Sequence, residues 1–454
     1  MSITLDHTNL HRTAKYFMDS GRAQTHDDAM AILSGFGLSI WVGQEVYHSA
    51  AHQIALLTLV NLARRTFLGG VEVVGAEDAP SLTPLAQGAS LSEAIIDFGG
   101  RPTLEAHATW PVAVIGTHTS RSLDTVNGWR LTWQGWRGGV TPLRDPNYLT
   151  EDSANPLAPA IAAAACAAEA FAWHAADHVM AGRRPVGLSL WDPTRNWLEQ
   201  DASEPELSYL PSRLWLIGLG NLGQAISWLL ACLPYADRSQ VELLLQDFDE
   251  MAESNDSTSL LSSRSLVGQK KTRVVSQWLE QIGFRTLIEE RRFGRWIVRG
   301  PHDPGVALCG VDNALARSEL DKPGFDLIVE AGLGAGPGGF RNFSMHSFPS
   351  SLTPDRIWGR QQHGETVDVS SMPAYDALRK AGVGACGLAQ LASRTVGVPF
   401  VGLIAAALVV AELLRRLHGA RGLEYVSGST FCLDDVEKSE MGLSPYQSAF
   451  VRAR

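Results

Sequence analysis

Part of this 454-residue chain repeats, and the repeat limits the folds open to it. Residues 155–171, NPLAPAIAAAACAAEAF, lie on residues 398–414, VPFVGLIAAALVVAELL, without a gap. The offset is constant at 243 (399 less 156): Pro156, Ile161, Ala162, Ala163, Ala164, Ala168 and Glu169 all meet identical residues. Alanine-rich helices resemble one another by composition alone, so the match needs company. VAVIGTH (112–118) supplies it against VALCGVD (306–312), both apolar strands running into Gly116 or Gly310. A third pair, 55–75 and 225–245, reads as helix then strand in each copy. All three pairs keep one chain order. The expected fold is therefore α/β, a tandem duplication of open sheets. The junction falls in the polar, acidic, turn-rich stretch DPTRNWLEQDASEPELSYLPS (192–212).

The copies differ at one instructive place. LWLIGLGNLG (214–223) reads as a buried strand that turns through Gly218, Gly220 and Gly223 into a helix. A helix N-terminus offers free N–H groups and partial positive charge to phosphate. The G-x-G-x-x-G pattern alone suits NAD, FAD, ATP or nothing. In the first copy the alignment puts His48, Ala50 and His52 opposite these glycines, and His118 opposite Asp312. The first copy is expected to have lost its nucleotide loop and its acid, and to act as a structural partner.

Downstream residues separate the nucleotides. QVELLLQDFD ends in Asp247 and Asp249, where a Rossmann-type fold holds ribose. Then come Asn255 and, opening a new helix, Lys270 and Lys271. A lysine over the nucleotide neutralises phosphate charge as a P–O bond forms or breaks, which hydride transfer does not need. GVALCGVDNALARSEL (305–320) places Asp312, Asn313 and Arg317 at a strand's carboxyl end, and an acid there can hold Mg²⁺ against phosphate oxygens.

The series G-x-G-x-x-G, D-F-D, S-N, V-G-x-x-K and D-N-x-x-x-R, in that order over roughly residues 213–418, resembles the ThiF/MoeB and ubiquitin-activating enzyme family. The resemblance implies two tandem Rossmann-like adenylation domains forming a pseudodimer. Residues 1–205 would be the degenerate, inactive one. Residues 206–454 would be active, with a crossover and catalytic-cysteine segment at about 350–395. It implies that Gly218, Gly220, Asn221, Leu222 and Gly223 cradle the ATP phosphates, and that Asp247, with Asp249 beside it, holds ribose. Asn255, Lys271 and Asn313 would contact the nucleotide, and Asp312 would hold Mg²⁺ near the α-phosphate. Arg12, in LHRTAKYFMDSG, matches by position the arginine that such enzymes take from the partner half. The implied activity is ATP-dependent adenylation of the C-terminal carboxylate of a ubiquitin-like protein. The layout is similar to bacterial ThiF-like proteins of antiphage ubiquitination-like operons, which implies a conjugating-enzyme-like partner and a defence role. The chain departs from the family twice. Thr258 stands where S-N-L-x-R-Q would put an arginine, so that Arg264 reaches the phosphates instead or the contact is missing. No C-x-x-C pair is present, so no zinc is expected.

Five cysteines remain to be sorted. Cys386, in AGVGACGLAQLASRTVGVPF, follows a glycine-rich loop and precedes a helix start. A helix N-terminus raises a thiol's thiolate fraction, so Cys386 is the expected acyl acceptor in a thioester step. Cys166, Cys232 and Cys309 lie on apolar helices or strands, and Cys432 on a strand. The run AGLGAGPGGF (331–340) reads as a turn beside a groove for an extended C-terminal tail, and residues 350–382 as the crossover. Arg317 is either an ATP contact or a structural ion-pair partner. His48, His52, His118 and His363 show no metal-binding spacing.

The net charge of −10 argues against nucleic acid, which a basic stripe usually marks. The apolar stretch 396–414 contains Pro399 and ends on Glu412 and arginines, so it reads as a buried core helix rather than a membrane span. Scattered thiols and an N-terminus without an apolar core suit a reducing cytoplasm. A homodimer of pseudodimers is left open. Two other functions stay open as well. One is the same chemistry on a small-molecule or peptide carboxylate, or in sulfur-carrier activation, without a thioester. The other is an NAD-dependent oxidoreductase or a noncatalytic scaffold.

Overall fold

The apolar runs GLSIWV, VAVI, RLWLI and VALC are buried almost end to end, as strands of a parallel sheet covered by helices on both faces must be. The computed structural model describes residues 5–86, 89–117, 126–152, 155–359, 371–441 and 450–453. His118, His363 and positions 360–370 of the crossover segment lie outside these. The first sheet contains β1 (Gly37–Val42), β2 (Gly70–Val74), β3 (Arg101–Thr103), β4 (Val112–Ile115), β5 (Gly128–Gln134), β6 (Arg137–Pro142) and β7 (Val186–Ser189). Their order is β3-β2-β1-β4-β5-β6-β7. A short strand, β8 (Tyr209–Pro211), precedes the second sheet: β9 (Arg213–Ile217), β10 (Glu242–Gln246), β11 (Arg285–Glu289), β12 (Val306–Cys309), β13 (Leu327–Leu333), β14 (Asn342–Phe348), β15 (Leu423–Ser429) and β16 (Cys432–Glu440). Here the order is β11-β10-β9-β12-β13-β14-β15-β16, and β17 (Phe450–Arg452) pairs with β8.

Both sheets thus follow one plan, a mixed α/β, Rossmann-like arrangement. Their first five strands are parallel, and those after β5 or β13 are antiparallel. Each order reverses between the first strand and the fourth, β1 and β4 or β9 and β12, and ligand crevices of open α/β sheets form at such a switch point.

The repeated helices occupy matching places. Leu157–Ala175 lies between β6 and β7, Pro399–Leu417 between β14 and β15, and the two pack on each other. The first of them also lies tight against its own sheet: a Cβ on Gly138 of β6 would lie 2.0 Å from the Ala158 carbonyl oxygen. The matched acids do the same job. Glu169 accepts from the Gly182 N–H at 2.9 Å and Glu412 from the Leu423 N–H at 2.9 Å, each tying its helix to the chain beyond it. Glu412 is also paired with Arg415 at 2.7 Å and Arg416 at 2.6 Å, which neutralises a fully buried carboxylate. Leu157–Ala175 is long and apolar enough to cross a membrane, but 89% of it is buried inside the fold.

Two expectations need correction. The alignment of His48, Ala50 and His52 with the glycine turn slides by several residues. Strand β1 ends at Val42, and a 3-10 turn, Gln44–Tyr47, fills the connection to the helix Ala50–Thr66. The residue after the strand is therefore Gly43, the counterpart of Gly218. The glycine run 331–340 is not all turn, because Gly336–Gly339 forms one short helical turn between β13 and β14.

Candidate functional site

Strand β9 leads straight into the glycine turn at the switch point. Gly218 has φ +83°, a conformation that favours glycine, and a Cβ there would meet Val311 at 2.8 Å. A Cβ on Gly223 would lie 1.9 Å from the Gly218 carbonyl oxygen, so the helix Asn221–Cys232 can start only where no side chain intervenes. At Gly220 a Cβ would meet nothing within 4 Å: this side of the turn faces open space. Among the described residues no side chain caps the helix, which leaves its first N–H groups facing that space. Leu222 closes the far wall, 2.7 Å from where a Cβ on Gly310 would stand. The Asn221 Nδ2 donates to the Val398 carbonyl at 3.3 Å, while its Oδ1 is buried with no hydrogen bond among the described residues.

The two acids after β10 have different duties. Asp247 is buried, and both its oxygens accept backbone N–H groups, from Leu219 at 2.7 Å and Asp249 at 2.9 Å. It braces the glycine turn. Asp249 has a half-exposed carboxylate, which pairs with Lys271 Nζ at 2.9 Å. Lys271 starts the helix Lys271–Gln281, and its N–H donates to the Asp249 carbonyl at 3.1 Å. Lys270 instead donates to the Phe248 carbonyl at 2.9 Å. Asn255 accepts from the Ala252 N–H at 2.8 Å and so fixes the turn Glu253–Ser257.

On the opposite side of the crevice, Asp312 is exposed, with no hydrogen bond or ion pair among the described residues. Asn313 caps the helix Ala314–Ser318 by accepting from the Ala316 N–H at 3.0 Å. Arg317 is an ion-pair residue: its Nη2 lies 2.5 Å from the fully buried Glu330, and its guanidinium stacks 4.3 Å from the Trp358 ring centroid. Glu330 also holds His346 at 2.5 Å. Among the described residues no group of three or more His, Cys, Asp or Glu side chains could hold a metal.

The N-terminal segment reaches into the second sheet's site. Arg12 donates from Nε to the Thr395 carbonyl and from Nη2 to the Thr395 hydroxyl, both at 2.7 Å. Burial and the nearby Arg394 charge lower its pKa to about 10, against the opposing pull of Asp312. Thr258 lies close by. A Cβ on Gly397 would stand 2.9 Å from the Thr258 methyl and 3.3 Å from the Arg12 Cβ. Arg264 is exposed, and its guanidinium has no hydrogen bond among the described residues.

Cys386 is exposed in the first turn of the helix Ala385–Ser393. The helix begins one residue before the cysteine, not after it. Its chain segment is held at both ends by the N-terminal segment. Tyr375 donates to Asp19 at 2.7 Å and accepts from Lys15 at 2.6 Å, and beyond the cysteine Thr13 donates to the Gly397 carbonyl at 3.2 Å.

The first sheet's switch point is occupied from within. The Glu45 carboxylate accepts from the Thr117 N–H at 3.0 Å and lies where a Cβ on either Gly43 or Gly116 would meet it, at 2.6 and 2.5 Å.

Residues 37–190 match the family described as BilD N-terminal domain, and residues 210–420 the one described as BilD C-terminal domain. The bacterial E1-like protein BilD of Collimonas sp. (strain OK412) is 57% identical over 453 residues, which is 100% of this chain and 98% of that one. The solved structure of E. coli MccB shares 14% identity at a TM-score of 0.32, covering 52% of this chain and 63% of its own, so that less than two thirds of its length is spanned. For E. coli MccB with SeMet MccA the figures are 13%, 0.34, 57% and 68%.

Proposed function

Starting from the fact that this chain belongs to the BilD family of bacterial E1-like proteins, we propose that it adenylates the C-terminal carboxylate of a ubiquitin-like protein and passes the acyl group to Cys386. In this reading residues 1–205 and 206–454 are two adenylation-type domains joined as a pseudodimer, and only the second works. ATP lies in the crevice between Gly218 and Gly310. Its phosphates meet the Gly220 side of the turn and the uncapped N–H groups of the helix that follows. Asp249, the freer of the two acids, receives the ribose hydroxyls, while Asp247 keeps the turn in shape. Lys271 and Arg12 face the phosphate charge from two sides.

The carboxylate oxygen attacks the α-phosphorus, the α–β bridging bond breaks, and pyrophosphate leaves. The Cys386 thiolate then attacks the acyl carbon and AMP departs. Asp312 fits a Mg²⁺ ligand, since its carboxylate is exposed and has no hydrogen bond or ion pair among the described residues, and Mg²⁺ takes one or two carboxylates with phosphate oxygens and water. When bound, the ion would neutralise phosphate charge. A conjugating-enzyme-like protein would receive the thioester, in a cytoplasmic antiphage pathway.

One observation carries the reading. A glycine turn open at Gly220, a lysine–acid pair and the exposed Asp312 lie at the strand ends of one switch point, while Glu45 fills the other. The test is exchange of labelled pyrophosphate into ATP by the whole chain, with candidate modifiers added singly. Modifier-dependent exchange that Lys271→Ala abolishes is the expected result. No exchange with any modifier, or exchange indifferent to Lys271→Ala, would overturn it.

A further inference from the structure

The first half holds the loop that carries Asn255 through one buried arginine. Arg65, in the last turn of the helix Ala50–Thr66, is only 3% exposed. Its fork makes five hydrogen bonds, as many as a guanidinium has N–H donors. Nε donates to Asn61 Oδ1 at 3.0 Å. Nη1 donates to the Asp256 carbonyl at 2.7 Å and to its carboxylate at 3.2 Å. Nη2 donates to the Leu260 and Ser262 carbonyls at 2.8 and 3.0 Å. Two neighbours on the same helix join in. Asn61 Nδ2 donates to the Leu260 carbonyl at 3.1 Å, and Arg64 to the Asp256 carboxylate and the Ser262 carbonyl at 2.9 and 3.0 Å. The N-terminal segment grips the start of the loop, where the Ser254 N–H donates to the Thr8 carbonyl at 2.7 Å and the Arg12 N–H to the Ser257 hydroxyl at 3.1 Å.

Asp256 stands where the S-N-L-x-R-Q pattern has leucine, two residues before Thr258. The clamp explains that departure, because a buried guanidinium needs an opposite charge beside it.

From the loop the bonds run on to the glycine turn. The Leu261 N–H and the Ser262 hydroxyl donate to Gln224 Oε1 at 2.8 and 3.2 Å. Gln224 is wholly buried, and its Nε2 donates to the Leu219 carbonyl at 2.9 Å. Leu219 lies between Gly218 and Gly220, and its N–H is the one that Asp247 accepts. Arg65, the loop, Gln224 and the turn thus form one connected set of hydrogen bonds, of the kind that carries coupling between distant groups.

Resting on the reading that ATP phosphates lie on the Gly220 side of the turn, we propose that Arg65 is a positioning residue for adenylation: from the degenerate half it fixes residues 254–262 and, through Gln224, the set of the glycine turn. The clamp acts on the phosphate end of the nucleotide. The ribose acid, Asp249, is held separately by Lys271.

Competition against a fluorescent ATP analogue, on the full chain, measures the affinities of ATP and adenosine. Arg65→Lys keeps the charge but puts all its donors on one atom, which cannot serve carbonyls on both sides of the fork. It should weaken ATP about tenfold, within the range such networks transmit, and leave adenosine within about twofold. A loss of folded protein lowers the amount that binds and not this ratio. Gln224→Glu cannot donate to the Leu219 carbonyl and should weaken ATP in the same way. Because both act through one path, the double variant should be no weaker than the worse single one. If Arg65→Lys does not fold, Asp256→Asn tests the clamp from the loop side, with a two- to threefold loss for ATP and none for adenosine. ATP affinity unchanged in the clamp variant, equal losses for ATP and adenosine, or single effects that multiply in the double variant would overturn the proposal. The two readings fail differently. ATP binding that ignores Arg65 removes the clamp and leaves adenylation standing, whereas an unaltered chain that binds ATP no better than adenosine takes both down.

Discussion

Arg12 grips Thr395 with two hydrogen bonds of 2.7 Å, one to its carbonyl and one to its hydroxyl, and so ties the N-terminal segment to the chain that leads away from Cys386. The same guanidinium feels the charges of Asp312 and Arg394. On the proposed function, replacing it removes a phosphate-facing charge together with the clamp seen here. Arg12→Ala should slow pyrophosphate exchange about a hundredfold, the scale of one preorganised donor to a developing charge. Arg12→Lys should stay low, since an ammonium cannot reproduce the fork. Initial exchange rates at saturating ATP check both, and an Arg12→Ala rate equal to wild type would remove Arg12 from the site.

Asp247 and Asp249 should fail in different ways. Asp247→Asn turns an amide NH₂ toward one of two backbone N–H groups in a buried spot, at a cost of about 1–3 kcal/mol, and should lower the melting temperature. Asp249→Asn should leave melting unchanged and raise the ATP concentration needed for half-maximal exchange. Calorimetry and ATP titration separate the two, and identical phenotypes would contradict the division of duties.

Cys386 should be the first thiol alkylated in the native chain, because it is exposed in the first turn of a helix. Burial pushes the Cys309 thiol up to about 12 and raises Cys166 and Cys232 as well, which leaves little thiolate to react. Mass spectrometry after brief iodoacetamide treatment reads the order. Cys386→Ala should keep pyrophosphate exchange and lose the thiol-sensitive adduct with the modifier on non-reducing gels. Full product formation by that variant would favour adenylation without a thioester.

Glu412 is wholly buried between two arginines and a backbone N–H. Glu412→Ala strands both guanidinium groups and should destabilise the fold by about 3–5 kcal/mol. The shift in urea midpoint measures it.

His11 couples the N-terminal segment to pH. Burial, then repulsion from His26, hold its pKa down to about 4, and its Nδ1 accepts from the Ala14 N–H at 3.3 Å, which requires the neutral ring. The unfolded chain binds the proton near pH 6.5, the folded one only near 4. Stability is therefore complete above 6.5 and falls as pH drops through this window, by up to about 3 kcal/mol. His11→Asn keeps an acceptor and does not titrate, so its melting temperature should vary less between pH 6.5 and 4. Parallel pH profiles of the two proteins would discard this coupling.

The duplicated helices were readable because nineteen-residue apolar helices keep their pattern wherever they pack. The strands that end at Gly218 and Gly310 were readable for a similar reason: a glycine that must avoid a neighbour's backbone is written in the chain itself. Three things were not. The 3-10 turn Gln44–Tyr47 inserts length without an apolar signature, so a gapless comparison misplaced His48 and His52. The separate tasks of Asp247 and Asp249 depend on which carboxylate the Leu219 N–H reaches, which spacing does not encode. The role of Arg317 is settled by its bond to buried Glu330, which joins the helix Ala314–Ser318 to β13 and exists only in the folded sheet.

Glu45 gives the first sheet a tethered anion of its own. Because the group cannot diffuse away, it competes with any incoming phosphate at an effective concentration set by a few bonds rather than by the solution. Widening that cleft by mutation leaves the stopper in place. On the proposed reading the chain is a one-chamber machine, and each molecule would commit a single triphosphate per cycle.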